Sequence, residues 1–133
     1  MTSLSDLPAR FFAEQDRLRG ALPAHLCAED YVAEIAGFPR MDARGHAVFG
    51  AAFYEGFPDI GHTVDESLVA GDRIAVRFTL RGTHDGSFMG IPPSGRPVEV
   101  QAFVWMTVRE GRVSRLQGLF DQMGLLRQIG AIA

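Results

Sequence analysis

The feature that most narrows the fold is a strict alternation over residues 97–109. Val98, Val100, Ala102, Val104, Met106 and Val108 are all apolar, whereas Glu99, Gln101, Phe103, Trp105, Thr107 and Arg109 are mixed. A period of two with one wholly apolar set marks a strand with one buried face. After Glu110-Gly111 the pattern resumes, with Leu116, Gly118 and Phe120 on one side and Arg115 and Gln117 on the other. Taking Arg109-Glu110-Gly111 as a three-residue loop with Gly111 left-handed pairs Val108 with Arg112 and sets even opposite even. A two-residue loop would turn Arg115 into the core, so parity argues against it. The two strands form a floor, and any chemistry belongs above it.

The chain before that floor reads as helix first and strand second. Asp6-Leu7-Pro8 is a helix start, with Asp as cap and Pro in the first turn. Leu7, Phe11 and Leu18 mark the apolar stripe of that helix, Glu14, Asp16, Arg17 and Arg19 its wet side, and Gly20 its end. A short second helix is expected near residues 23–28 and a brief strand over residues 30–35. Asp42 caps a third helix that runs to about Glu55, with His46, Phe49, Gly50, Phe53 and Phe57 on one side. Residues 62–68 and 72–81 then pair around Val69-Ala70-Gly71, again read as a three-residue loop. In the second of these strands Ile74, Val76, Phe78 and Leu80 share the core face. Residues 82–97 are rich in Gly and Pro yet carry Phe88, Met89 and Ile91, so this loop must lay apolar side chains on something. Three N-terminal helices packed on a curved antiparallel sheet is the expected α+β architecture, in a single domain covering residues 1–133.

Composition removes several classes of function. A net charge of −3 with scattered Arg gives no electrostatic footprint for nucleic acid. No apolar run approaches membrane-spanning length, and no basic stretch leads into an apolar run at the N-terminus, so a cytoplasmic location is expected. The single cysteine, Cys27, excludes an internal disulfide and reads as a small buried hydrophobe. Four histidines without His-x-His or His-x-x-x-His spacing give no zinc pattern, so no metal is expected.

Ordered motifs in the second half carry a resemblance. They are Phe57-Pro58-Asp59, Ala70-Gly71-Asp72, Gly82-Thr83-His84-Asp85-Gly86, Met89-Gly90-Ile91-Pro92-Pro93-Ser94-Gly95, Glu110-Gly111, and the run from Asp121-Gln122-Met123-Gly124-Leu125-Leu126 to Gly130. In this order they resemble the SnoaL-like polyketide cyclases from about residue 57 to residue 130; the first 56 residues match only as a helical outline. The resemblance implies the cone-shaped fold of nuclear transport factor 2 and ketosteroid isomerase, dimeric through the outer sheet face. It also implies an apolar cavity for an aromatic polyketide ester, and an aspartate acting as general acid/base in an aldol ring closure without metal or cofactor. Carbanion chemistry beside a carbonyl needs one poised carboxylate in a dry pocket and little else. Aligned on Gly124-Leu125-Leu126, however, the position of that aspartate is Gly118, and that of an assisting histidine is Val104.

The candidate site follows from these two readings. The expected pocket comprises Phe53, Phe78, Leu80, Phe88, Met89, Ala102, Val104, Met106, Leu116, Gly118 and Phe120, with Phe88 and Met89 serving either as a lid or as loop anchors. His84 and Asp121 are the candidate proton shuttles. For His84 the alternative is a ring that bonds a loop carbonyl, and for Asp121 it is an N-cap of a helix over residues 122–128. His62, His46 and Glu34 are secondary candidates, and His25 is expected at the surface. Phe103, Trp105, Gln117 and Leu119 share the outer face and read as a homodimer interface. Two functions remain open: a cofactor-free cyclase or isomerase acting on a bulky apolar carbonyl compound, or a non-catalytic module that binds such a molecule or only dimerises.

Overall fold

The computed structural model describes residues 3–133. Helix α1 (Leu7–Arg17) and helix α2 (Ala43–Gly56) lie on one side of a six-stranded sheet. The strands are β1 (Cys27–Ile35), β2 (Met41–Asp42), β3 (Gly61–Ala70), β4 (Arg73–Thr83), β5 (Pro97–Arg109) and β6 (Arg112–Phe120). They are arranged in the order β2-β1-β6-β5-β4-β3. A last helix, α3 (Gln122–Gln128), follows β6. The architecture is α+β as expected, with two corrections. Only α1 precedes the first strand and α2 is inserted between β2 and β3, because residues 23–28 form a 3-10 turn (Ala24–Leu26) and then enter β1 at Cys27; the third helix is C-terminal. The sheet is also not wholly antiparallel, since β1 runs parallel to β6.

Helix α1 buries Leu7, Phe11, Phe12 and Gln15, whereas Leu18, expected in that stripe, sits at the C-cap and is exposed. Asp6 makes no side-chain capping bond, but Asp42 caps α2 by accepting from the Gly45 amide at 2.8 Å. The C-terminal end of α1 passes close to α2 at Gly20. There φ is +107°, and a Cβ would stand 2.9 Å from the Ala51 nitrogen, so only glycine lets the two helices approach.

Both long hairpins solve the parity problem in the same unexpected way. The β5–β6 turn has two residues, Glu110 and Gly111, both at positive φ, so that Arg109 faces Arg112 and Val108 faces Val113. Such a turn follows the natural twist of the strands. Ser114 then bulges, its hydroxyl donating to the Thr107 carbonyl, and from Met106↔Leu116 onward even again faces even. The β3–β4 hairpin likewise uses a two-residue turn, Gly71-Asp72, and a bulge at Asp65. The inward set of β5 is therefore the expected one, with every even residue from Val98 to Val108 buried. In β3 the bulge reverses parity, so Leu68 lies on the exposed outer face instead of joining His62 and Val64.

Helix α3 closes one end of β5, where the Gln128 side chain exchanges two hydrogen bonds with the Glu99 backbone. The loop after β4 folds inward: Phe88 is buried between Phe53 and Phe57, and Met89 stands in solvent. Phe88 is thus an anchor of the loop. Cys27 is buried, and burial pushes its thiol up to about 11. No helix among the described residues is long and apolar enough to cross a membrane.

Candidate functional site: a cavity with two histidines

An apolar cavity of about 80 Å³ lies between α1, α2 and the inward face of the sheet. Eight of the expected pocket residues line it: Phe53, Phe78, Leu80, Ala102, Val104, Leu116, Gly118 and Phe120. Three do not, because Met106 and Phe88 are sealed in the core and Met89 points outward. The cavity also takes Phe12 and Gln15 from α1, His46, Phe49, Gly50 and Tyr54 from α2, and His62 from β3. At this size it holds a single ring, and a larger ligand requires rotation of the aromatic side chains at Phe49, Phe53 and Phe120.

The polar chemistry in the cavity belongs to its walls. Asp16, in the last turn of α1, meets the first residues of β3. One carboxylate oxygen of Asp16 accepts from the His62 backbone amide at 2.9 Å, and the other bonds His62 Nδ1 at 2.7 Å. The Tyr54 hydroxyl donates to that second oxygen at 2.5 Å. Burial raises the Asp16 carboxyl, but the hydrogen bond and charge of His62, the Tyr54 hydroxyl and the His62 amide outweigh it and hold the group below its ordinary range. Asp16 is therefore an ionised acceptor, so the proton on His62 Nδ1 is donated to it. In its neutral form the ring keeps its lone pair at Nε2. Orientation is fixed by packing as well: the ring stacks on Phe12 at 4.6 Å and 9° and leans on Phe78.

His46 sits deeper. Its Nδ1 shares a 2.8 Å hydrogen bond with the Tyr31 hydroxyl, and the two rings are nearly parallel. Burial, and then the charge of His62, push His46 down to about 4. The unfolded ring titrates near 6.5, so between pH 6.5 and 4 the unfolded chain binds a proton that the folded chain refuses. Stability from this source is whole above pH 6.5 and is lost as pH falls toward 4, by about 3 kcal/mol. Urea titrations across that window should show this slope, and His46→Phe should flatten it. An unchanged slope in the variant would place the acid sensitivity elsewhere.

The structure places the two expected proton shuttles away from the cavity. His84 is wholly buried at the base of the loop, where its Nδ1 accepts from the Ser94 amide at 3.1 Å and bonds the Ser94 hydroxyl at 2.8 Å. Its ring packs on Phe57, and among the described residues its Nε2 is sealed without a partner. Asp121 caps α3 by accepting from the Gly124 amide at 2.8 Å, and it faces outward. Glu34 pairs with Arg115, and His25 is exposed. Among the described residues, no three metal-binding side chains converge. Sequence reasoning set Asp16 on the wet side of α1 and so missed its bond to His62. The usable signal was a carboxylate in the last turn of a helix that packs on β3, beside a histidine of inward parity.

The pattern of the SnoaL-like polyketide cyclases matches residues 9–129. Among solved structures, IdmH from Streptomyces antibioticus, a proposed polyketide cyclase, is 30% identical, with 95% of this chain and 97% of that one covered and a TM-score of 0.78. AclR from Streptomyces galilaeus, a proposed hydroxylase, is 22% identical over 96% of this chain and 84% of its own, with a TM-score of 0.84. A Catenulispora acidiphila protein of ketosteroid isomerase-like fold is 16% identical, covering 96% and 95% of the two chains, with a TM-score of 0.79. No curated protein matches the chain. The helices over a curved sheet, the apolar hollow between them and the match across residues 9–129 agree, and the chain belongs to the SnoaL-like polyketide cyclase family.

Proposed function

We propose that this chain is a cofactor-free acid–base catalyst of the cyclase or isomerase type, and that it acts on an apolar carbonyl compound. The observation that carries this reading is the Asp16–His62 pair at the wall of an apolar cavity. A carboxylate that fixes an imidazole in one tautomer, with the residue set in the lining of a hollow of low polarity, is an arrangement for abstracting a proton. Proton transfer is assigned to His62 in preference to His84 and Asp121, which do not reach the cavity lining. The test needs no native substrate. In deuterated buffer the protein should exchange the α-protons of cyclohexanone faster than the same concentration of free imidazole. A rate no greater than that of imidazole would leave the non-catalytic binding module as the reading.

The outer face supports a homodimer. Phe103, Trp105 and Leu119 are 46%, 52% and 51% exposed, Leu68 lies beside them, and Gln117 shares their side. The Arg73 guanidinium sits over the Trp105 ring at 5.3 Å, ready to be desolvated with it. Contiguous aromatic and aliphatic surface of this kind is what an isologous sheet-to-sheet contact buries. Sedimentation should give a dimer mass, and Trp105→Glu should give the monomer; a monomeric wild type would end the proposal.

A further inference from the structure

We propose that His46 is a second catalytic group, a neutral N–H donor that holds the carbonyl oxygen of the substrate while His62 removes the neighbouring proton. The inference rests on the acid–base reading above and adds what that reading lacks, a partner for the negative charge created when the proton leaves.

The argument is one of hydrogen-bond accounting. The Tyr31 hydroxyl is buried, and among the described residues its one partner is His46 Nδ1. If His46 donated to the Tyr31 oxygen, the hydroxyl proton of Tyr31 would be buried with no acceptor, which costs more than the bond returns. Tyr31 therefore donates, Nδ1 accepts, and the proton of the neutral imidazole is on Nε2. The depressed basicity of His46 agrees, since a ring that stays neutral carries one N–H and no charge. Among the described residues that Nε2 has no hydrogen-bond partner, yet it is not among their sealed, unpartnered atoms, where His84 Nε2 is found. Since His46 lines the cavity, its N–H is open to a ligand there.

The same accounting gives His62 the opposite tautomer, with the proton on Nδ1 toward Asp16 and the lone pair on Nε2. One apolar cavity thus presents an imidazole that accepts and an imidazole that donates. A neutral donor suits an enolate better than a cation does when proton transfer must stay reversible, because it stabilises the oxygen without surrendering a full charge. The step balances internally. His62 Nε2 takes the α-proton, and the C–H electron pair becomes the carbon–carbon double bond of the enolate. The carbonyl π pair moves to oxygen, where it accepts from His46 Nε2–H. The His62 proton is then returned to another carbon in an isomerisation, or to the alkoxide formed when the enolate carbon attacks a second carbonyl in a ring closure. The substrate class is accordingly a compact ketone or ester with an acidic α-hydrogen.

Two measurements test this. Long-range proton–nitrogen NMR at neutral pH should show His46 protonated at Nε2 and His62 at Nδ1; a proton on Nδ1 of His46 would overturn the proposal. Cyclohexanone labelled at its carbonyl carbon can accept a hydrogen bond but not donate one, and methylenecyclohexane has the same shape without the oxygen. Bound to the wild type, the ketone should show the downfield carbonyl shift of a hydrogen-bonded oxygen. His46→Phe should abolish the shift and weaken ketone binding about tenfold, with methylenecyclohexane unaffected. A shift that survives His46→Phe but disappears in Gln15→Leu would give the role to Gln15 and overturn the assignment. His62→Ala should keep the shift while losing proton exchange, so failure of the base and failure of the donor are read separately. If neither probe binds the wild type, both the inference and the function it rests on are overturned.

Discussion

Substituting His62 by alanine is expected to slow α-proton exchange by roughly 10²–10⁴-fold, the usual contribution of a positioned general base. The expectation follows from geometry: Nδ1 is held by Asp16 at 2.7 Å, the ring is stacked on Phe12, and His62 lines the cavity. Asp16→Asn should give a loss of the same order or somewhat smaller. An amide can face His62 with either its oxygen or its NH₂, so the ring is no longer confined to the tautomer that leaves Nε2 basic. Because both residues act as one unit, the double variant should be no slower than His62→Ala alone. Asp16 also accepts from Tyr54 and from the His62 amide, so Asp16→Asn should lose about 1–3 kcal/mol of stability as well. Rates are therefore to be compared well below each melting transition. Free imidazole should partly restore His62→Ala, since the truncation leaves room beside Phe12 and Phe78, and should do nothing for Asp16→Asn. Equal exchange rates in wild type and His62→Ala would remove His62 from the chemistry.

What the sequence made legible was local and periodic. The alternation of β5 gave its buried face residue by residue, and with it most of the cavity floor, because a pleated strand leaves no freedom in which way a side chain points. The turn types were less accessible. Parity favoured a three-residue loop at Glu110-Gly111, whereas the chain takes the tighter turn and corrects parity at Ser114. A bulge costs the sequence nothing visible, since any residue can occupy it, so the face was inferred correctly on a wrong register. The polar walls were hidden for a different reason. Asp16 and His62 are 46 positions apart and meet only because α1 lies across β3. A carboxylate with polar neighbours on its helix looks solvated until the packing is known. His84 shows the converse: its parity pointed inward, but the loop over residues 84–96 closes on itself, with the His84 amide donating to the Arg96 carbonyl and the ring bound to Ser94.

Gly118→Asp is expected to be among the most destabilising single changes in the chain, at about 4–5 kcal/mol. The resemblance to the cyclases puts their acid/base at this position, so the substitution looks like a restoration. The structure makes it a collision. A Cβ at residue 118 would lie 2.2 Å from the Phe103 carbonyl oxygen and 2.6 Å and 2.8 Å from Cγ1 and Cα of Val104. Two of those three atoms are backbone of the central strand β5, paired to β6 at this point, so relief requires the sheet to part rather than a side chain to rotate. Gly118→Ala isolates that steric cost and should lose about 3 kcal/mol, seen as a melting temperature lower by roughly 10 °C. The aspartate then adds a carboxylate on a floor formed by Ala102, Val104 and Leu116, none of which can donate to it. If Gly118→Ala melts like the wild type, the close approach of β5 and β6 is not as tight as drawn, and the floor could carry an acid after all. If it melts early, the sheet that builds this cavity cannot place a side chain at residue 118, and an acid or base for chemistry in it must come from the helices and from β3, where Asp16, His46 and His62 stand.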